Sequence, residues 1–138
     1  MNYQNQMNRR VSGLPDHWQD YFLCVLLHML FPFFPLLMES LLTSNIQQNS
    51  LMLFAAMYPL SIGLSSDSKL LFGFTILISL FFSVAYGVVA ASGKPLANFE
   101  VYAFISLIAI FTVHLLERYN KHVVDRTPFW AFNSSVGE

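Results

Sequence analysis

Residues 70–91, LLFGFTILISLFFSVAYGVVAA, form an apolar run with no charge, no proline and no amide side chain. At a rise of about 1.5 Å per residue, a helix of this length reaches about 33 Å, enough to cross a hydrocarbon core of about 30 Å. A helix on the surface of a soluble domain shows a polar face every three to four residues, and this run has none. The run therefore predicts a membrane helix.

The same run contains a row of small residues at four-residue spacing. Such rows let two helix backbones approach closely in lipid, where dispersion and interhelical hydrogen bonds replace the hydrophobic effect. We expect a helix-packing seam here and, through it, association into a homo-oligomer. The competing explanation is chance, because small residues are common in membrane helices. The row consists of Thr75, Ser79, Ser83, Gly87 and Ala91.

The composition of the rest of the chain agrees with a membrane protein. Charged residues make up 11% of the 138 residues, whereas a typical soluble domain has about 25%. The net charge of −1 excludes the clustered Lys and Arg of a nucleic-acid-binding surface. Cys24 is the only cysteine and excludes an intrachain disulfide. We expect no cleavable signal peptide, since the first apolar run follows a mixed polar segment and contains prolines and Glu39.

Three further apolar runs predict three further membrane helices, of which the first is kinked by Pro32 and Pro35. The predicted fold class is all-α, an integral membrane four-helix bundle. The predicted segments are an N-terminal cytosolic or interfacial segment at 1–20, a four-helix transmembrane domain at 21–116 and a cytosolic C-terminal tail at 117–138. The predicted helices lie at about 21–42, 51–66, 70–91 and 99–116.

Lys and Arg are distributed unequally between the two ends of this predicted bundle. Of the seven Lys and Arg residues, Lys94 alone lies on the side of the first and third loops. The positive-inside rule then predicts that both termini are cytoplasmic, in a multi-pass protein of a bacterial inner membrane. The six on the cytoplasmic side are Arg9, Arg10, Lys69, Arg118, Lys121 and Arg126.

Three ionisable residues in or near the apolar runs, His28, Glu39 and His114, form a candidate intramembrane polar site. Ionisable groups inside a membrane cost free energy and are functional candidates by default. On a helical wheel the unusual residues of the first helix share one face, which we expect to point into the bundle or an oligomer interface. That face consists of Tyr21, Cys24, His28, Pro32, Pro35 and Glu39.

A structural interpretation of the same three residues competes with the functional one. A neutral His28 can hydrogen-bond a neighbouring hydroxyl or backbone carbonyl. Glu39, three residues before the helix ends, can reach the outer headgroups or pair with Lys94. His114 lies one turn before Arg118, close to the cytoplasmic boundary. In the functional interpretation it forms a polar cluster with Glu117 at the inner mouth of the bundle, and in the structural one these residues simply leave the membrane.

The C-terminal tail combines basic and aromatic side chains, and two interpretations fit it. It is a candidate docking element for a cytosolic partner, because aromatic and Arg side chains dominate binding interfaces. Alternatively, its aromatic residues form a belt that folds back onto the lipid headgroups. The residues concerned are Arg118, Lys121, Arg126, Phe129, Trp130 and Phe132.

No motif in the sequence predicts catalysis. The four histidines lack metal-ligand spacing, and there is no phosphate-binding glycine loop and no recognisable nucleophile and base pair. We therefore expect no catalytic residue, no metal and no cofactor, and we predict that the protein is not an enzyme. We also expect no small-molecule substrate and no direct contact with nucleic acid, so that membrane lipid, further copies of the chain and a cytosolic effector are the expected partners.

Three functions fit this layout. The first is an oligomeric membrane protein that senses membrane perturbation or anchors a cytosolic effector. The second is a small transporter or channel. Small multidrug exporters also have four short helices, but they place an essential carboxylate near mid-membrane in the first helix, where this chain has His28. The third is an immunity protein that blocks a pore-forming toxin.

The topology of residues 21–126, with four helices and both ends inside, resembles that of the membrane subunit of the Kiwa antiphage defence system. The resemblance lies in this topology and not in a diagnostic motif, so no site residue is transferred. It implies an oligomeric membrane sensor in a bacterium that works with a cytosolic DNA-binding effector to restrict phage.

Overall fold

A computed structural model of the chain describes residues 13–129. These residues form four helices and no strand, and three of the helices, α1, α3 and α4, are long and apolar enough to cross a membrane. The predicted all-α four-helix bundle is confirmed. The helices are α1 (Asp16–Thr43), α2 (Gln48–Ser65), α3 (Lys69–Ser92) and α4 (Phe99–Val124).

Two helices extend beyond the apolar runs that predicted them. α1 begins at Asp16, directly after Pro15, so the segment expected to lie on the membrane surface is continuous with the first helix. An acidic residue in the first turn is favourable there because it faces the positive end of the helix dipole. α4 continues to Val124 and ends before Pro128, which cannot continue a helix.

α1 is irregular in its middle. Pro32 and Pro35 each lack the backbone N–H, and their rings collide with the carbonyl group four residues earlier. The helix is therefore wound more loosely before the prolines, as a π-helix, and more tightly at Pro32, as a 3-10 helix. This change of winding shifts the helix phase: Cys24 is buried, whereas Pro35 is exposed. The single polar face expected on α1 is therefore interrupted. The four parts of α1 are α-helix (Asp16–Cys24), π-helix (Val25–Leu30), 3-10 helix (Phe31–Phe33) and α-helix (Phe34–Thr43).

α2 contacts all three other helices: it packs against α3 and α4, and its Tyr58 hydrogen-bonds the carbonyl of Met29 in α1. Its buried residues lie within an arc of about 160° at 100° per residue, and the opposite face is exposed, with Met57 and Leu64 on it. α2 is not among the helices that qualify as spans by length and composition. The buried residues of α2 are Leu51, Met52, Ala55, Ala56, Tyr58, Pro59, Ile62 and Gly63.

The small-residue row on α3 divides between two faces. Thr75 and Ser79 are buried, whereas Ser83, Gly87 and Ala91 are exposed. Residues four apart advance about 40° beyond a full turn, so five such positions sweep about 160° and cannot all face one neighbour.

Only the first part of this row packs inside the protomer. There α2 and α3 approach so closely that a Cβ atom on Gly63 would overlap the hydroxyl of Thr75. A Cβ atom on Gly87, by contrast, would meet nothing within 4 Å.

Candidate functional site

The start of α1, the loop between α2 and α3, and the end of α4 lie together at one end of the bundle, which we call the network end. The ring of Tyr119 lies 6.0 Å from that of Trp18 and 5.8 Å from that of Tyr21. Tyr and Trp side chains are enriched at the level of the lipid headgroups. An aromatic cluster at one end of the bundle is thus typical of a membrane protein.

α4 supplies the central three residues of a polar network. Arg118 Nε donates to Nε2 of His114 over 3.1 Å, and Nδ1 of His114 lies 2.9 Å from Oε2 of Glu117. Because Nε2 accepts a hydrogen bond, the ring proton is on Nδ1, which donates to Glu117. His114 is fully buried and Arg118 is 7% exposed, so both side chains belong to the interior.

The network continues into the end of α2 and the loop that follows it. Arg118 Nη2 donates to the carbonyl of Ser65, the last residue of α2. Such a carbonyl has no partner within its own helix and carries the negative end of the dipole, so a cation is favourable beside it. Oε1 of Glu117 accepts from the hydroxyl of Ser66 over 2.7 Å and from the backbone N–H of Asp67 over 2.9 Å.

α1 joins the network through His28, which lies in the π-helical turn. Nε2 of His28 is 2.7 Å from the hydroxyl oxygen of Ser65. That hydroxyl donates its proton to the carbonyl of Ile62 over 2.8 Å, so His28 is the donor to Ser65. The His28 and His114 rings lie 5.8 Å apart. Two of the three predicted members of the intramembrane polar site are therefore neighbours.

An ion pair closes the network at the surface. Lys121 Nζ lies 2.6 Å from Oδ2 of Asp67. The hydrogen bond from Lys121 lowers the pKa of the Asp67 carboxyl below its ordinary value. The side chain of Asp67 is 67% exposed, so solvent and salt weaken the pair.

Glu39, the third predicted member, lies at the opposite end of the bundle. Its Oε1 accepts from the backbone N–H of Gln47 over 3.1 Å and from the hydroxyl of Ser50 over 3.0 Å. Eleven residues of helix place it about 16 Å along α1 from His28. Glu39 therefore holds the junction of α1 and α2 and is not part of the histidine cluster.

Gln48 makes the second junction at this far end. Its Nε2 donates to the carbonyl of Leu96 over 2.9 Å, and its Oε1 accepts from the N–H of Leu96 over 2.7 Å. The side-chain amide thus pairs with both backbone groups of one residue and ties the start of α2 to the loop between α3 and α4.

Packed aromatic rings separate the two ends. The ring of Phe33 lies 4.8 Å from those of Phe54 and Tyr58 and 6.2 Å from that of Phe111. The buried hydroxyl of Tyr58 donates to the carbonyl of Met29 over 3.4 Å. The middle of the protomer is therefore a packed apolar layer.

The predicted tail residues do not form one surface. Arg118 is buried in the network and Lys121 pairs with Asp67, whereas Arg126 is exposed in the turn after α4. The ring of Phe129 lies 5.9 Å from that of His122. Trp130 and Phe132 lie outside the described residues.

His122 fastens the segment that follows α4. Its Nδ1 donates to the carbonyl of Thr127 over 2.7 Å, and the side chain is buried. His122 was not among the predicted site residues, whereas a polar cluster of His114 with Glu117, one turn before Arg118, was one of the two interpretations of the sequence. The spacing of His114, Glu117 and Arg118 places them on one helix face, which is the signal that could have identified the network.

Comparison of the chain with known protein families, curated proteins and solved structures finds no match. The geometry of the polar network is therefore the main indication of function.

Proposed function

We propose that this chain is a non-enzymatic, oligomeric membrane protein that senses perturbation of the membrane and passes that state to, or anchors, a cytosolic effector. The observation that carries the proposal is the polar network, whose hydrogen bonds join α1, α2 and α4 where residues 13–15 and 125–129 leave the helices. A change in helix packing within the lipid must disturb this network, because its members come from three separate elements. The network thus couples helix packing to segments that a partner can reach.

We place the network end in the cytoplasm, so that α2 is a fourth crossing and both termini are inside. Lys69, Lys121 and Arg126 lie at this end, whereas Lys94 lies at the other, a distribution that the positive-inside rule favours for the cytoplasmic side. The setting we propose is the inner membrane of a bacterium, in antiphage defence, as the resemblance to the Kiwa membrane subunit implies.

The packed middle layer favours a sensor over a transporter that works through a single protomer. A proton-coupled exporter needs an ionisable group that both sides of the membrane can reach. Glu39 is held at the far end, and the rings of Phe33, Tyr58 and Phe111 lie between it and the histidines. A transport pathway would therefore have to run between copies.

Purification of the full chain from its native host in mild detergent, followed by native mass spectrometry, tests the proposal. We expect a homo-oligomer with a soluble protein in fixed ratio, and loss of that protein when residues 129–138 are deleted. The matched control is Lys94→Gln at the far end, which should retain the partner. A partner-free dimer that transports a solute in liposomes, with flux abolished by His28→Ala or Glu39→Gln, would instead identify a transporter, and protection from a pore-forming toxin would identify an immunity protein.

The oligomer itself is tested at the exposed part of the small-residue row. Since a Cβ atom on Gly87 would meet nothing within 4 Å in the described part of the chain, we expect Gly87→Leu to disturb a contact with another copy and not the packing of its own helices. We expect Ser83→Leu and Gly87→Leu to dissociate the oligomer without changing the unfolding of the protomer. Val88→Leu, on the exposed face but outside the row, is the control. An oligomer that survives both row variants removes the seam from the proposal.

A further inference from the structure

We propose that His114 is a proton-sensitive latch, so that acidification on the network side releases Arg118 and frees the end of α4 from α2. This inference rests on the proposed sensor function in that it names a stimulus. Its structural basis is the direction of the hydrogen bonds around His114.

The closed network requires a neutral His114. Arg118 is always protonated, so its Nε can only donate, and Nε2 of His114 must offer a lone pair across their 3.1 Å contact. The ring proton is then on Nδ1, which donates to Glu117. Both ring nitrogens are thus committed to one tautomer while the latch is closed.

Protonation of His114 is incompatible with the contact to Arg118. A second ring proton would place two N–H donors and two positive charges face to face in a buried site. Glu117, on the opposite side of the ring, favours the protonated form. The proton therefore binds more tightly once Arg118 has moved away, and a ligand that prefers one of two states shifts the population toward it.

The other groups around His114 determine what opens. α1 contributes the His28 ring at 5.8 Å, the loop between α2 and α3 contributes Asp67, and α2 contributes the hydroxyl and carbonyl groups of Ser65. Arg118 bonds both His114 and the carbonyl of Ser65, the last residue of α2, whereas Glu117 bonds His114 and the loop after α2. Release of Arg118 therefore loosens the contact between α4 and α2. His28 donates to Ser65 through Nε2 and retains an unprotonated Nδ1, so a proton added at Nδ1 leaves the hydrogen bond to Ser65 in place.

Cys24 provides a reporter of this opening. It is the only cysteine of the chain, it is fully buried, and it lies one turn before His28 in α1. Separation of the helices at the network end should expose it to a thiol reagent. Because thiol reactivity itself depends on pH, each labelling rate is divided by that of the same protein unfolded in SDS at the same pH.

The experiment measures this normalised rate for the full chain in lipid nanodiscs between about pH 7.5 and about pH 4.5. This window begins where histidines ordinarily titrate and extends below it, because Arg118 and burial oppose the protonated ring. We expect a rise of about tenfold at the lower pH for the unchanged chain. His114→Gln should abolish the rise, because its amide oxygen can accept from Arg118 and its NH₂ can donate to Glu117 without titrating. His17→Gln and His122→Gln, at the same end, should retain it.

Two results would overturn the latch. One is an unchanged normalised rate across the pH range in the unchanged chain. The other is a rise in the normalised rate that persists in His114→Gln, even where substitution of another histidine abolishes it. Should His114→Gln fold poorly, His114→Asn is the second non-titrating variant. A slow labelling rate of Cys24 at about pH 7.5 shows that this variant is folded. Neither readout involves a partner, so failure of the latch and failure to recover an effector are separate results.

Discussion

The two ends of the bundle join overlapping sets of helices by different chemistry. At the far end, the amide of Gln48 pairs with the backbone of Leu96, and one carboxylate oxygen of Glu39 accepts from the neighbouring loop and helix. At the network end, Arg118 and His114 are buried together. An amide paired with backbone has no titratable proton, whereas a histidine network can take up a proton in acid. The far end therefore acts as a fixed joint and the network end as an adjustable one.

The largest effect that tests this comparison is expected at Arg118. Arg118→Gln cannot reach both His114 and Ser65, so buried partners lose their hydrogen bonds. We expect the free energy of unfolding to fall by about 3–5 kcal/mol, as when one partner of a buried charged network is removed. SDS titration in mixed micelles measures it. Arg126→Gln, at an exposed site beyond α4, should change stability by less than about 0.5 kcal/mol, and equal losses in the two variants would contradict the network.

A smaller loss is expected at Gly63, which lies two residues before Ser65 and sets how closely α2 approaches α3. Gly63→Ala forces a methyl group onto Thr75, and overpacking of this kind costs about 1–3 kcal/mol. Gly87→Ala has open space around its Cβ and should be neutral or stabilising by up to about 1 kcal/mol. The same SDS titration compares them. Similar values for the two glycines would show that the close approach of α2 and α3 is not a constraint.

At the far end, Gln48→Ala removes both hydrogen bonds to Leu96. We expect a loss of about 1–2 kcal/mol and no change in the pH dependence of Cys24 labelling, because this junction contains no titrating histidine. Gln47→Ala removes an exposed neighbouring amide and is the control. A change in the pH response of Gln48→Ala would mean that the two ends are not independent.

The smallest effect is expected at the surface of the network. Asp67→Asn removes an exposed ion pair with Lys121, worth about 0.2–1 kcal/mol. Because the native pKa of Asp67 is lowered, its contribution is present above the unfolded pKa and is lost as the pH falls through the native value. The difference in unfolding free energy between Asp67→Asn and the unchanged chain should therefore shrink in acid. Asp125→Asn is the control, and a difference that grows in acid would contradict the assignment.

Sequence patterns located the candidate histidines and one of their partners. His28 and His114 were recognisable because ionisable residues stand out in apolar runs, and Glu117 was predicted beside His114. Glu39 was grouped with the histidines because a regular helix places it on the same face as His28, but eleven residues of helix separate the two by about 16 Å. Ser65 and Ser66 gave no signal, because small polar residues at a helix end and in a short loop are ordinary.

The amino-acid sequence alone determined the four helices and the membrane character of three of them, because both follow from local composition, from the lengths of the apolar runs and from proline positions. The tertiary structure alone decided that one side of α2 packs against the three other helices, that the small-residue row turns away from its neighbour after Ser79, and that Arg118 bridges His114 and Ser65. These features depend on helix phase and on contacts between residues about 50 positions apart. Local pattern carries no information about such contacts, because they form only when the helices pack.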